Sequence, residues 1–185
     1  MKLLAIVGSL RKQSFNRQLA ETAGTCLEVS TLEIADLNPI PVFNQDIEYP
    51  APESVRRLRQ MVKDADGIWF FEPEYNHGMS GVMKNAIDWL SRPISAAEKQ
   101  VLANKPCAIS GITMGMDGTA IAQEQLVCLL SFLDMKVMNQ PRLTIPNALS
   151  QAEGSQLKLN ASLPFVQSQA KAFEQFVLNT KKAAE

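Results

Sequence analysis

Residues 67–71 read GIWFF, a run without a polar side chain set between Asp66 and Glu72. A segment this short, and apolar at both odd and even positions, suits a strand covered on both faces. Two further runs share its character, KLLAIV at 2–7 and PCAISGI at 106–112. Segment 28–34 (EVSTLEI) alternates with period two, and 136–139 (KVMN) supplies a short fifth strand. Helical patterns fall between them at 16–25, 52–65, 81–90 and 119–133, and a last one spans 164–179 with Phe165, Phe173 and Phe176. Strands separated by helices form right-handed βαβ units and a parallel sheet with helices on both faces.

The expected fold is therefore α/β and flavodoxin-like, a five-stranded parallel sheet of order 2-1-3-4-5 with helices on both faces. At 185 residues the chain suits one domain spanning 1–185. A net charge of −1 recruits neither nucleic acid nor an anionic membrane, and it argues against an acidic electron shuttle that docks by charge. Cys26, Cys107 and Cys128 form no CxxC or metal-ligand spacing and read as buried reduced thiols, with no metal site expected. No stretch reaches the roughly 20 apolar residues of a membrane helix. The run at 2–7 leads straight into a polar loop, unlike a signal peptide. These features together predict a reducing cytoplasm.

In an open parallel sheet, ligands bind beyond the carboxyl ends of the strands at the switch point. The loops after strands one, three and four are the unusual ones. The first, Ser9-Leu10-Arg11-Lys12-Gln13-Ser14-Phe15-Asn16, leads into a helix, whose first N–H groups are unpaired and carry partial positive charge. Ser9, Ser14 and Asn16 add side-chain donors and Arg11 adds a charged fork. The loop lacks the Walker and GxGxxG spacings, so a monophosphate is the expected anion. The second loop, 72–81 (EPEYNHGMSG), has a proline fixing the strand exit and glycines that admit close backbone approach. Its amides suit the polar edge of a flat heterocycle, with Tyr75 beside the ring. The third, 110–119, carries Gly111, Gly115 and Gly118.

GSLRKQSFN, PEYNHGMSGVMKNAIDWLSRP and the 110–119 loop together resemble the NADPH-dependent FMN reductases, which include bacterial quinone and chromate reductases. The likeness runs from about residue 2 to about residue 139. It implies tightly bound FMN, NADPH or NADH as reductant, and a homodimer or homotetramer. By resemblance, Ser9, Arg11, Ser14, Phe15 and Asn16 hold the FMN phosphate, and Pro73, Glu74, Tyr75 and Asn76 line the isoalloxazine. Thr113 and Gly115 meet the flavin from the other side. Asn44, Gln45 and Asp46 match a segment that approaches the neighbouring subunit's site, so Asn44 and Asp46, with His77, are expected at the substrate rim. Met79, Met83 and Trp89 are candidates for the subunit contact. The third loop departs from the family: Gly118-Thr119-Ala120-Ile121 lacks the usual arginine, and Glu124 with Arg142 is the ion pair expected instead.

The implied activity is an FMN-dependent NAD(P)H oxidoreductase. It passes two electrons by ping-pong hydride transfer to a small-molecule electron acceptor such as a quinone, flavin, chromate, azo or nitro compound. The flavin carries the chemistry, so no side chain is expected to be catalytic and His77 is read as a loop residue. The rival reading is a flavodoxin-type single-electron carrier, which the near-neutral charge and the 73–93 segment disfavour. A flavin-binding sensor is a further rival, disfavoured because no basic helix or added domain accompanies the site.

Overall fold

The computed structural model describes residues 1–183. The chain runs β1 (Lys2–Val7), α1 (Phe15–Thr25), β2 (Thr31–Ile34), α2 (Glu53–Asp64), β3 (Gly67–Phe71), α3 (Gly81–Leu90), β4 (Pro106–Ile112), α4 (Ala120–Phe132) and β5 (Lys136–Val137). It continues through β6 (Leu143–Ile145), β7 (Ala152–Glu153), β8 (Gln156–Leu157) and α5 (Leu163–Lys182). Short 3-10 turns occupy Gln45–Ile47 and Ala148–Gln151. The sheet has the order β2-β1-β3-β4-β5, with every pair parallel.

Period two along the strands divides the core into two layers. Leu3, Ala5, Val7, Trp69, Phe71 and Ala108 point to the face covered by α1 and α5, where Leu19, Ala23, Val166 and Phe173 meet them. Leu4, Ile6, Ile68, Phe70, Cys107 and Ile109 point to the other face, under Leu58, Val62, Met83, Ile87 and Leu126 from α2, α3 and α4. Every residue of GIWFF is buried, as a strand paired and covered on both sides requires. Inside the first layer a polar chain pins α5 to β4. Trp69 Nε1 donates to Ser110 Oγ at 2.8 Å, Ser110 Oγ donates to Gln169 Oε1 at 2.5 Å, and Gln169 Nε2 donates to the carbonyls of Ile109 and Pro141.

The structure corrects the sequence reading at the far edge. The fifth position of the sheet is filled by two pieces. β5 pairs with Pro106 and Cys107, and β6 pairs with Ser110, Gly111 and Ile112. Between them stands Pro141, which has no N–H to give a ladder. β2 begins at Thr31, three residues later than its alternation suggests. There the amides of Glu28 and Val29 donate to the Glu174 carboxylate instead. A small antiparallel hairpin, β7 with β8, was not foreseen. Of the three cysteines only Cys107 is buried; Cys26 is half-buried and Cys128 is exposed on α4. No helix among the described residues is long and apolar enough to cross a membrane.

Candidate functional site

Three loops leave the carboxyl ends of neighbouring strands, residues 8–14 after β1, 72–80 after β3 and 113–119 after β4. Hydrogen bonds join them. Gly8 N donates to Phe71 O at 2.9 Å and Glu72 N to Ser110 O at 2.8 Å, which carries the ladder past the strand ends. Tyr75 Oη lies 3.3 Å from Ser9 Oγ and links the first loop to the second. Glu74 Oε2 accepts from Ala122 N at 3.0 Å and links the second to the start of α4.

In the first loop Ser14 caps α1, accepting from Arg17 N at 3.3 Å. The N–H groups of Phe15 and Asn16 begin the helix and donate to no acceptor among the described residues. Arg11 is exposed, its guanidinium 5.4 Å from the centre of the Phe15 ring. Beside the loop lies a cavity of about 460 Å3 walled by Ser9, Arg11, Lys12, Arg17 and Asn38. Free amides at a helix start, a serine hydroxyl and exposed cations are a donor set that fits a phosphate monoester. Asn16 is a correction. Its side chain does not face that position, because Nδ2 donates to Ile112 O at 2.9 Å and Oδ1 accepts from Ile112 N at 3.1 Å.

The second loop is a two-residue hairpin. Tyr75 and Gly78 exchange both backbone hydrogen bonds at 3.1 Å, Glu74 and Met79 pair as an isolated bridge, and Asn76 and His77 have φ of 53° and 55°. Positive φ at both central residues is what this tight turn demands. Gln125 on α4 braces it, accepting from Met79 N at 2.9 Å. Tyr75 stands half out of the surface at the mouth. Glu74 differs from expectation: its carboxylate is withdrawn from the mouth to cap α4, which Thr119 leaves without a side-chain cap. Burial raises the Glu74 carboxyl, and hydrogen bonding from Glu74 holds neighbouring Asp117 low. His77 Nδ1 sits 3.4 Å from Glu74 Oε1 and 3.9 Å from Asp117 Oδ2, with its ring largely exposed. The ligand atoms of the three lie within 4.8 Å of one another, and one oxygen of Glu74 is spent on the α4 cap.

Beneath the loops lies Glu72, fully buried, whose position at the end of an apolar strand was its only sequence signal. Oε1 accepts from Ser80 N at 2.5 Å, and Oε2 has no partner. Burial pushes its carboxyl up to about 8, so at neutral pH it is an uncharged acid. A Cβ on Gly8 would stand 2.8 Å from Glu72 Oε2 and 2.5 Å from Ser80 Oγ, which is why the first loop opens on glycine.

In the third loop Thr113 is tied to β6, its N–H donating to Ile145 O at 3.0 Å, and Gly115 O accepts from Asn147 N at 2.9 Å. Met114 and Met116 are exposed on the same loop. Glu124 and Arg142 do pair, at 2.7 Å, as the sequence suggested. Met83 and Trp89 are correctly placed on α3 but fully buried, so neither offers a subunit contact. Among the described residues no hydrogen bond joins the side chain of Asn44 or Asp46 to the three loops. Asn44 Oδ1 accepts from Asp46 N at 2.9 Å, and the neighbouring Phe43 N is held by Asn85.

A parallel sheet of this order, with three polar loops massed at its switch point and an anion cradle on the first, defines the flavodoxin-like class of mononucleotide-binding proteins. Residues 1–150 match the sequence profile of the NADPH-dependent FMN reductases. The chain is similar to a 2-hydroxy-1,4-benzoquinone reductase of Burkholderia sp, 39% identical over 84% of each chain. It is also similar to a quinone reductase of Escherichia coli K12, 36% identical over 98% of this chain and 97% of the other. Among solved structures it superposes on the flavoenzyme NAD(P)H:acceptor oxidoreductase FerB of Paracoccus denitrificans with a TM-score of 0.85. That pair is 30% identical, with 97% of this chain and 98% of the other covered. The chain belongs to the NADPH-dependent FMN reductase family, an oxidoreductase family whose cofactors are FMN and NAD(P)H.

Proposed function

We propose that this chain is a two-electron NAD(P)H:quinone oxidoreductase working in ping-pong order, with the reductant and the acceptor using one slot in turn. The observation that carries the reading is that the second loop is bonded to the first through Tyr75–Ser9 and to the start of α4, just past the third loop, through Glu74–Ala122. FMN, when bound, supplies reversible hydride storage. The residues of the chain bind and orient it. Arg11, Ser9, Ser14 and the amides of Phe15 and Asn16 hold the phosphate. The backbone of Pro73, Glu74, Tyr75 and Asn76, with Thr113 and Gly115, would hold the flavin ring. Met114 and Met116 form an apolar lip that sheds water from the slot. His77 stays at the rim without a proton-transfer duty. Quinones are favoured as acceptors by the names of the Burkholderia and Escherichia relatives. Initial rates with NADPH and a benzoquinone test the order. Parallel double-reciprocal lines are expected, and intersecting lines contradict it. A preparation that binds FMN but oxidises no NADPH is instead a single-electron carrier.

The whole chain is proposed to act as one unit and to work as a homo-oligomer. The contact falls to α4, whose Ile121, Cys128 and Phe132 lie along one outward stripe; Phe132 is 84% exposed. In such a pair Asn44 and Asp46 serve the neighbour's slot. Three cysteines free of disulfides support a reducing, cytoplasmic location.

A further inference from the structure

On the α2–α3 side, two cavities of about 300 and 690 Å3 share Tyr49 and Ile94 as walls. The smaller is lined by Arg56, Arg59 and Lys63, one face of α2 at spacings of three and four. Arg59 is only 3% exposed, yet it has no carboxylate in ion-pair reach among the described residues. Its Nη2 donates to Trp89 O at 3.0 Å, and its Nε is buried without a partner. The nearby carboxylates are committed elsewhere. Glu48 is held by Arg92 through Nε at 2.8 Å and Nη2 at 3.3 Å, Arg56 pairs with Glu53, and Lys63 pairs with Glu98. The charge left over is the buried one. Glu53 and Glu98 are themselves well exposed, and such surface pairs are weak enough for an incoming anion to displace.

The larger cavity is lined by Tyr49, Pro93, Ile94 and Ala96, with the charged pair Glu98 and Lys99 also on its wall; Glu98 is the carboxylate already paired with Lys63. Cationic and apolar lobes side by side call for a ligand with both characters. We propose that this groove is a second binding site, for a small organic anion: a phosphate or carboxylate head on Arg59 and Lys63, and a flat apolar body against Tyr49 and Ile94. The site is separate from the three-loop cluster. Arg59 bonds Trp89 near the carboxyl end of α3, whereas the second loop adjoins its amino end, about 15 Å away for ten residues.

The test uses FMN-loaded protein titrated with phenyl phosphate, inorganic phosphate and benzoate at low salt, followed by calorimetry and amide chemical shifts. One saturable site is expected, with phenyl phosphate binding more tightly than inorganic phosphate and shifts centred on Arg59, Trp89 and Ile94. Benzoate binding comparable to that of phenyl phosphate assigns the head group to any compact anion; much weaker binding assigns it to phosphate. Arg59→Met is expected to weaken binding about tenfold or more, the loss of charge-assisted hydrogen bonds. Arg59 is buried, so the exposed changes Lys63→Ala and Tyr49→Ala are made alongside it, and each is expected to weaken binding severalfold. No saturable binding, shifts confined to the three loops, or unchanged affinity in Lys63→Ala and Tyr49→Ala overturns the proposal.

Discussion

The side-chain amide of Asn16 forms a closed pair of hydrogen bonds with the backbone of Ile112, donating to its carbonyl at 2.9 Å and accepting from its N–H at 3.1 Å. These residues are 96 positions apart in the chain. One begins α1 and the other ends β4, so this bond pair sets the first loop against the third. Both groups are buried, and a buried amide left unpaired costs about 1–3 kcal/mol. Asn16→Ala is therefore expected to lower stability by about 2–4 kcal/mol. Asn16→Asp is expected to be nearly as harmful, because a carboxylate cannot donate to the Ile112 carbonyl. Urea unfolding of the three proteins measures it; an Ala variant within error of wild type refutes the role.

Arg11 contributes through charge rather than packing, being exposed beside the free amides of the α1 start. Arg11→Ala is expected to weaken FMN by roughly ten- to a hundredfold, about 1.5–3 kcal/mol, while leaving the melting behaviour of the apoprotein unchanged. Titrating the apoprotein with FMN decides this, and an unaltered dissociation constant removes Arg11 from the phosphate site.

Glu72 makes stability depend on pH. Burial raises its carboxyl from the ordinary 4.5 to about 8, so between those values the folded chain holds a proton that the unfolded chain has released. Folding then takes up a proton. The stability contributed by the neutral acid is complete below pH 4.5 and is lost as pH rises through about 8. The expected slope is about −1.4 kcal/mol per pH unit inside the window. Glu72→Gln removes the titrating group and should flatten the profile. Denaturation of both proteins at intervals across the window checks it; parallel profiles would count against a protonated Glu72.

Two glycines should respond in opposite directions to alanine. A Cβ at Gly111 would stand 2.0 Å from Thr119 Oγ1 and 2.4 Å from the Glu72 carbonyl, so Gly111→Ala must push the third loop off the second. A loss of about 1–3 kcal/mol and weaker FMN binding are expected. Gly81 begins α3 with nothing within 4 Å of its missing side chain. Gly81→Ala should stabilise by about 0.5–1 kcal/mol through helix propensity and the unfolded state. Thermal melts of the pair provide the comparison.

Phe132 tests the oligomer. A charge placed at the centre of an apolar contact opposes association, so Phe132→Glu is expected to shift the protein toward monomer in light scattering at micromolar concentration. If the variant and the wild type share one mass, α4 is not the contact.

The spacing of GIWFF, KLLAIV and PCAISGI was enough to set the α/β class, because a strand apolar on both faces has few places to sit, and the strand order came from the doubly wound arrangement that five such strands fit. The three loops were legible for a related reason: each follows directly on such a strand, so the strand positions locate the loops. The sixth strand was not legible, since Leu143–Ile145 is three residues long and lies beyond Pro141, where a local pattern carries almost no signal. The side chains of the site were the least legible. Asn16 and Glu74 belong to the expected motifs, but whether an amide or carboxylate points to a ligand or back to the chain depends on partners 96 and 48 residues away.

Local pattern alone thus settled the layers and marked the helix start at which an anion is expected, because periodicity and helix-start chemistry are properties of neighbouring residues. Tertiary structure decided which polar groups are already spent. It turned Asn16 onto Ile112, withdrew Glu74 to cap α4, stranded one oxygen of Glu72 in the core and left Arg59 buried without a carboxylate. Hydrogen-bond satisfaction is settled among residues far apart in the chain, and only the packed molecule brings them together.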